Sequence, residues 1–202
     1  MESSQILVIF NDMKQDAIEQ QLFARQDYST VPLAMGEYDT CNFRDCNFSG
    51  SDLSGFSFLD CTFAGCDLSN AKLKNSAFRE TIFKECKMLG LRFDDCNQVG
   101  MTVRFESCLL DHASFYQVKL NHTVFLSTSL QEVDFTESDL KNVILDHCDL
   151  ANATFNHTNL ERADLSTASN YTINPENNRL RGAKFSLPAV VGLLNSFQIE
   201  IV

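Results

Sequence analysis

CNFRDCNFSGSDLSGFSFLDCTFAGCDLS, residues 41–69, carries two competing messages. Cys41 with Cys46, and Cys61 with Cys66, form two C-x4-C pairs, and four thiolates on such spacing could hold zinc. The same stretch also keeps a period of five, with large apolar residues at Phe43, Phe48, Leu53, Phe58, Phe63 and Leu68. That period runs back through Tyr38, Leu33, Tyr28 and Phe23, and forward through Leu73, Phe78, Phe83, Met88 and Phe93. Neither the 3.6-residue period of a helix nor the two-residue period of an alternating strand fits it, so a repeat architecture is expected. A second frame, displaced by two residues, begins at Phe105, continues every fifth residue to Leu165, and returns at Leu180 and Phe185.

Sorting these positions by twenty exposes a higher order. Phe23, Phe43, Phe63 and Phe83 are alike; so are Leu110, Leu130 and Leu150, Phe115, Phe135 and Phe155, and Leu120, Leu140 and Leu160. A coil of four five-residue sides puts residues twenty apart in register, one strand spacing (about 4.8 Å) from each other. The sequence therefore predicts an all-β solenoid, a quadrilateral β-helix of about seven coils.

The position two before each large residue is small or β-branched, as at Ser51, Ala71, Thr81, Ala113, Val133 and Val143, and all eight cysteines fall on its five-residue frame. Ala and Val cannot bind a metal, so the slot selects for volume and Cys serves there as a small hydrophobe. Structural thiols are expected rather than zinc. Disulfides are disfavoured too, because stacked Cβ atoms about 4.8 Å apart exceed the usual bridged separation of about 3.8 Å.

The chain has 202 residues, with 16 Lys and Arg against 27 Asp and Glu, a formal net charge of -11. Such a surface repels nucleic acid and anionic membranes, so neither is expected as a direct partner. The apolar run ILVIF at 6–10 has no basic flank and is too short to span a membrane. A soluble, cytoplasmic chain with reduced thiols is the expectation. His112, His122, His147 and His157 each fall two residues after a large position, on four different sides and facing solvent. They cannot converge on a metal or substrate, and no phosphate loop or nucleophile elbow is present. No enzyme activity, cofactor or metal is expected.

With units such as AKLKN, SAFRE, SDLSG and ADLST, the chain resembles the pentapeptide-repeat family from about residue 21 to 167. The resemblance implies a right-handed quadrilateral β-helix. Within the family it looks most like the quinolone-resistance type, on the strength of the interruption NQVGMTVRFESC and the C-terminal stretch GAKFSLPAVVGLLNSFQIEIV. The two-residue shift near Gly100 is shorter than the projecting loops that several resistance proteins carry. What the likeness implies is a non-catalytic DNA mimic that binds DNA gyrase or topoisomerase IV, protects it from fluoroquinolones, and forms a homodimer through its C-terminal segment. The alternative is a structural or signalling scaffold for another protein.

Charge bears on the mimicry. Residues 105–165 hold ten acids against Lys119, Lys141 and Arg162, so a mimic surface is expected there, at Asp134, Asp139, Asp146, Asp149, Glu161 and Asp164. Seven coils span roughly 34 Å, and the overall charge is about half that of a DNA duplex of equal length. In the first half Asp52 sits above Lys72 and Arg92, which mixes the signs.

Open solenoid ends need covering. Residues 1–20 are assigned to an N-terminal cap, with a short helix expected over 12–22. Residues 21–167 form the β-helix, irregular at 97–104. Residues 168–202 supply a turn-rich segment, then a helix with Ser186 as cap and Pro188 in its first turn. Its apolar stripe is Val190, Leu193, Leu194 and Phe197, and Ile199 and Ile201 continue as a strand, for capping, dimerisation or both.

Overall fold

In the computed structural model, residues 17–197, 199 and 200 are described. The chain winds as an all-parallel β-solenoid of about eight turns with four sides. Side 1 pairs Ile18–Glu19, Glu37–Asp39, Ser57–Leu59 and Ala77–Arg79 in one four-stranded sheet. Side 2 is a continuous nine-stranded sheet that runs from Leu22–Ala24 to Lys184–Phe185. Sides 3 and 4 pair by single bridges, as in Asn47 with Asp67 and Asp134 with Thr154. The register is the twenty-residue one the sequence demands: Phe43 faces Phe63, and Phe63 faces Phe83.

The apolar ladders fill the interior. On side 2 the rings of Phe23, Phe43, Phe63, Phe83, Phe105 and Phe125 stack with centroids 4.6–5.4 Å apart. On side 4, Phe93, Phe115, Phe135 and Phe155 do the same at 4.6–5.4 Å. Rings of adjacent sides meet edge-on, as Phe58 does with Phe63, so stacked and T-shaped contacts, both favourable for aromatic quadrupoles, alternate around each coil.

The corners have their own chemistry. The second residue after the central one adopts positive φ, at Asp45 (52°), Asn70 (56°), His112 (61°), Asn142 (57°), His147 (52°) and many others. This left-handed conformation disfavours most side chains, and Asn, Asp and His tolerate it best after glycine. The four histidines thus sit at left-handed corners (φ 52–64°) pointing outward.

All eight cysteines are buried free thiols. Their inward slot offers more than volume. The thiols of Cys66, Cys86, Cys108 and Cys148 donate to the carbonyls of Phe43, Phe63, Phe83 and Phe125, each at 3.4 Å. Ser76, Thr81 and Thr158 hydroxyls do likewise to Leu53, Phe58 and Phe135. A donor in this slot satisfies a carbonyl of the coil beneath, which explains why Cys, Ser and Thr interchange there.

The irregularity falls on side 1. Residues 97–102 turn across Ala77–Arg79, with the Thr102 amide donating to the Phe78 carbonyl (3.0 Å) and the Arg79 guanidinium to the Val99 carbonyl (3.3 Å). Side 2 passes it without a break, Phe83 now facing Phe105.

The ends depart from expectation. Of the helix proposed for 12–22, residues 12–16 lie outside the described residues, and Ile18–Glu19 and Leu22–Ala24 are strands that already belong to the solenoid. The repeat also reaches Phe185, so the coils number about eight rather than seven. The C-terminal helix is instead two 3-10 segments, Pro188–Leu193 and Asn195–Phe197. Packing explains the tighter winding. Gly192 lies so close to the last coil that a Cβ there would clash with the Tyr171 carbonyl, and its own carbonyl accepts the Ile173 amide at 3.0 Å. Ser186 still helps cap, its hydroxyl accepting the Ala189 amide at 3.4 Å. Ile199 is in no strand, and Ile201 lies outside the described residues.

Candidate functional site: the outer faces

With the interior filled by its own side chains, the chemistry lies outside. Three hollows are open grooves of about 350–450 Å³ on the surface. One, between Lys72, Lys74 and Arg92 on side 4, is cationic and flanked by Asp52 and Asp95. Among the described residues no group of three or more His, Cys, Asp or Glu is placed to hold a metal ion, and no helix is long and apolar enough to cross a membrane.

The six acids expected to form one face are distributed over all four sides. Asp139 and Glu161 lie on side 1, Asp146 and Asp164 on side 2, Asp149 on side 3 and Asp134 on side 4. Four of them hold the backbone. Asp134 accepts the Thr136 amide at 2.8 Å, Asp139 that of Lys141 at 3.2 Å, Asp149 that of Ala151 at 3.1 Å and Asp164 that of Ser166 at 3.1 Å. These are Asx turns, which tighten the corner after each side. Asn47 and Asn159 do the same for Ser49 and Glu161 without a charge. The signal was present in the sequence as Asp or Asn, a large residue, then Ser or Thr: Asp52-Leu53-Ser54, Asp67-Leu68-Ser69, Asp134-Phe135-Thr136, Asp164-Leu165-Ser166.

Hydrogen bonds from Asn170 and Gln131 hold the Asp149 carboxyl below the usual carboxylate range. Ser166 and Lys184 do the same for Asp164. Asp146 accepts the Thr167 hydroxyl at 2.8 Å. Net acidity gathers instead on sides 3 and 4 of the second half, at Asp111, Glu132, Asp134, Glu137 and Asp149. In the first half the rows are interrupted by cations, Lys72 pairing with Asp52 at 3.9 Å and Lys87 with Asp67 at 3.3 Å.

At the C-terminal end, Leu193 and Ala189 pack on the core. Val190 and Leu194 are half-buried, whereas Phe197 and Ile199, with Leu187 and Val191, are exposed. The expected stripe therefore splits into a covering part and a bare one.

Comparison with solved structures finds the same fold. A trypsin-treated form of QnrB1, a plasmid-mediated fluoroquinolone resistance protein, aligns with a TM-score of 0.69 at 18% identity, covering 93% of this chain and 92% of that one. Full-length QnrB1 aligns with a TM-score of 0.56 at 16% identity, over 91% of this chain and 100% of that one. HetL, a pentapeptide-repeat protein involved in heterocyst differentiation regulation in the cyanobacterium Nostoc sp. strain PCC 7120, gives 0.58 at 18% identity, over 86% and 87%. No curated protein matches the sequence. Two family descriptions match it: "Pentapeptide repeats (8 copies)" at residues 41–79 and 61–97, and "Pentapeptide repeat region" at 99–185. By the five-residue frames, the four-sided coils and these matches over most of its length, the chain belongs to the pentapeptide-repeat family.

Proposed function

We propose that this protein is a non-catalytic rod that binds another protein through its outer faces. The observation that carries the reading is the division of labour in the coil: among the described residues the buried positions hold the apolar ladders and a few Ser and Thr, and no charged residue is buried. A fold of this kind specifies a surface, not a reaction. A reducing, cytoplasmic setting suits eight buried free thiols.

The finer reading assigns the partner to the type II topoisomerases, gyrase or topoisomerase IV, with the acidic patch at Asp111, Glu132, Asp134, Glu137 and Asp149 as the contact. Its support is the likeness to QnrB1 in fold and that patch. Inhibition of gyrase supercoiling by a fluoroquinolone, with and without the purified protein, tests it. Relief of inhibition is expected, and lost in a variant with Glu132→Gln, Glu137→Gln, Asp134→Asn and Asp149→Asn, where the Asn residues keep the turns. No relief and no binding at micromolar protein removes the topoisomerase reading. The reading as a scaffold for a different protein is favoured by the cations that interrupt the acidic rows at Lys72, Lys87 and Arg92. Affinity capture then returns a protein other than a topoisomerase. The exposed Leu187, Val191, Phe197 and Ile199 support end-to-end homodimerisation at the C-terminus.

A further inference from the structure

Side 1 is polar along the rod in a way no other side is. Its first half exposes Glu19, Glu37, Asp39, Asp60 and Glu80, with Arg79 the one cation. Its second half carries Lys119, Lys141, Arg162, Arg179 and Arg181, with Asp139 and Glu161 the acids. Residues 105–165 are the strongly acidic stretch of the sequence, yet on this side the second half is the more basic. On the other sides Lys72, Lys84, Lys87, Arg92, Arg104 and Lys184 each sit within 4.0 Å of a carboxylate, whereas among the described residues Arg25, Arg44 and Lys74 do not. Among the described residues no such pair forms on side 1.

The two halves also oppose each other in net charge about the turn at 97–102. One coil out from it lie Glu80, beside Arg79, below and Lys119 above; two coils out, Asp60 and Lys141, the latter beside Asp139; three, Asp39 with Glu37 and Arg162, the latter beside Glu161; four, Glu19 and the pair Arg179 and Arg181. At the midpoint stands Val99, 73% exposed. A surface whose opposite ends bear opposite charge at equal distances from an apolar centre is complementary to itself when turned end for end, as a two-fold interface requires.

We propose that side 1 is a self-recognition surface, on which a second copy of this chain lies antiparallel, each acidic half against the other's basic half and Val99 meeting Val99 at the axis. Eight coil spacings of about 4.8 Å give a contact roughly 38 Å long, and one side is roughly 13 Å wide. That is about 500 Å² per copy, under the roughly 800 Å² of a standard interface. The pair is therefore weak, assembles in the micromolar range, and is held by charges that salt screens. It is distinct from the C-terminal end and independent of the partner assigned above.

Sedimentation velocity on the full chain tests this. A dimer is expected at about 50 mM salt, weakening at least tenfold at about 1 M as the Debye length falls to about 3 Å. A variant with Glu37→Lys, Asp60→Lys and Glu80→Lys, and another with Lys141→Glu, Arg162→Glu and Arg181→Glu, should each be monomeric at low salt. Mixed in equal amounts they should pair again, because a side of net positive charge then meets one of net negative charge. Circular dichroism verifies that both fold. If a triple variant misfolds, the single changes Glu80→Lys and Lys119→Glu, at groups that face each other across the axis, are read the same way, each weakening the pair and the mixture recovering it. Three results overturn the proposal: a wild-type chain monomeric at low salt and high micromolar concentration; a mixture that stays monomeric; or a dimer untouched by these reversals and abolished by Phe197→Asp.

Discussion

Replacing Phe135 by Ala removes a ring that is 0% exposed and lies between Phe115 at 5.4 Å and Phe155 at 5.3 Å, with Phe125 edge-on at 6.4 Å. The Phe135 carbonyl keeps its donors, the Ser138 and Thr158 hydroxyls at 2.7 Å, so the loss is confined to packing. A buried Phe→Ala change costs about 3–5 kcal/mol. Stacked partners above and below cannot close the gap without breaking register, which puts this site at about 4–5 kcal/mol, a large part of the 5–15 kcal/mol that holds a typical domain together. Phe135→Leu should cost under about 1.5 kcal/mol, since Leu145 and Leu165 fill equivalent rungs on side 2. His147→Asn, at a corner with φ 52°, should stay within about 0.5 kcal/mol because Asn shares the tolerance for that conformation. Urea unfolding followed by circular dichroism measures all three. A loss below about 1.5 kcal/mol for Phe135→Ala, or one equal to that of His147→Asn, would refute the assignment of inside and outside.

Three further outcomes are expected. Asp134→Asn should unfold at the wild-type urea concentration, while Asp134→Ala loses about 1 kcal/mol, because Asn retains the acceptor for the Thr136 amide and Ala does not. Stability should fall between pH 9 and about 12 in a pH series of urea midpoints. Burial pushes the thiols of Cys61, Cys96 and Cys148 up to about 12 from an ordinary 9.0, so the unfolded chain releases those protons first and gains by doing so. Below pH 9 both states hold the proton, and these groups contribute no slope; a flat profile up to pH 12 would contradict their burial. Gly192→Ala should cost about 1–3 kcal/mol through the clash with the Tyr171 carbonyl. Hydrogen exchange would register it first at the Ile173 amide, which bonds to Gly192.

The coil was legible in the sequence because its signal is redundant: Phe43, Phe63 and Phe83 repeat one instruction, and the stacked rings obey it. The end elements have no such redundancy. The spacing of Val190, Leu193, Leu194 and Phe197 suits an α-helix, but the contact of Gly192 with Tyr171 decides the winding, and that contact depends on the last coil rather than on the segment itself. The dispersal of the acids over four sides was hard to read for a different reason. A list of charges in chain order has no angular coordinate, and only sorting by twenty reveals that Asp146 and Asp149, three residues apart, look in different directions. The turn-holding role of Asp134 and Asp164 was written in the Ser or Thr two residues on, a pattern easily passed over when carboxylates are read only as charge.

The slip between residues 97 and 102 shows how this architecture tolerates change. Two surplus residues are swallowed on one side, and the neighbouring sheet resumes with Phe83 facing Phe105 as though nothing had been added. Small insertions are thus local blemishes on a single flank, whereas lengthening the molecule takes whole twenties. Descendants of such a chain would be expected to differ in size by quanta, growing or shrinking one storey at a time.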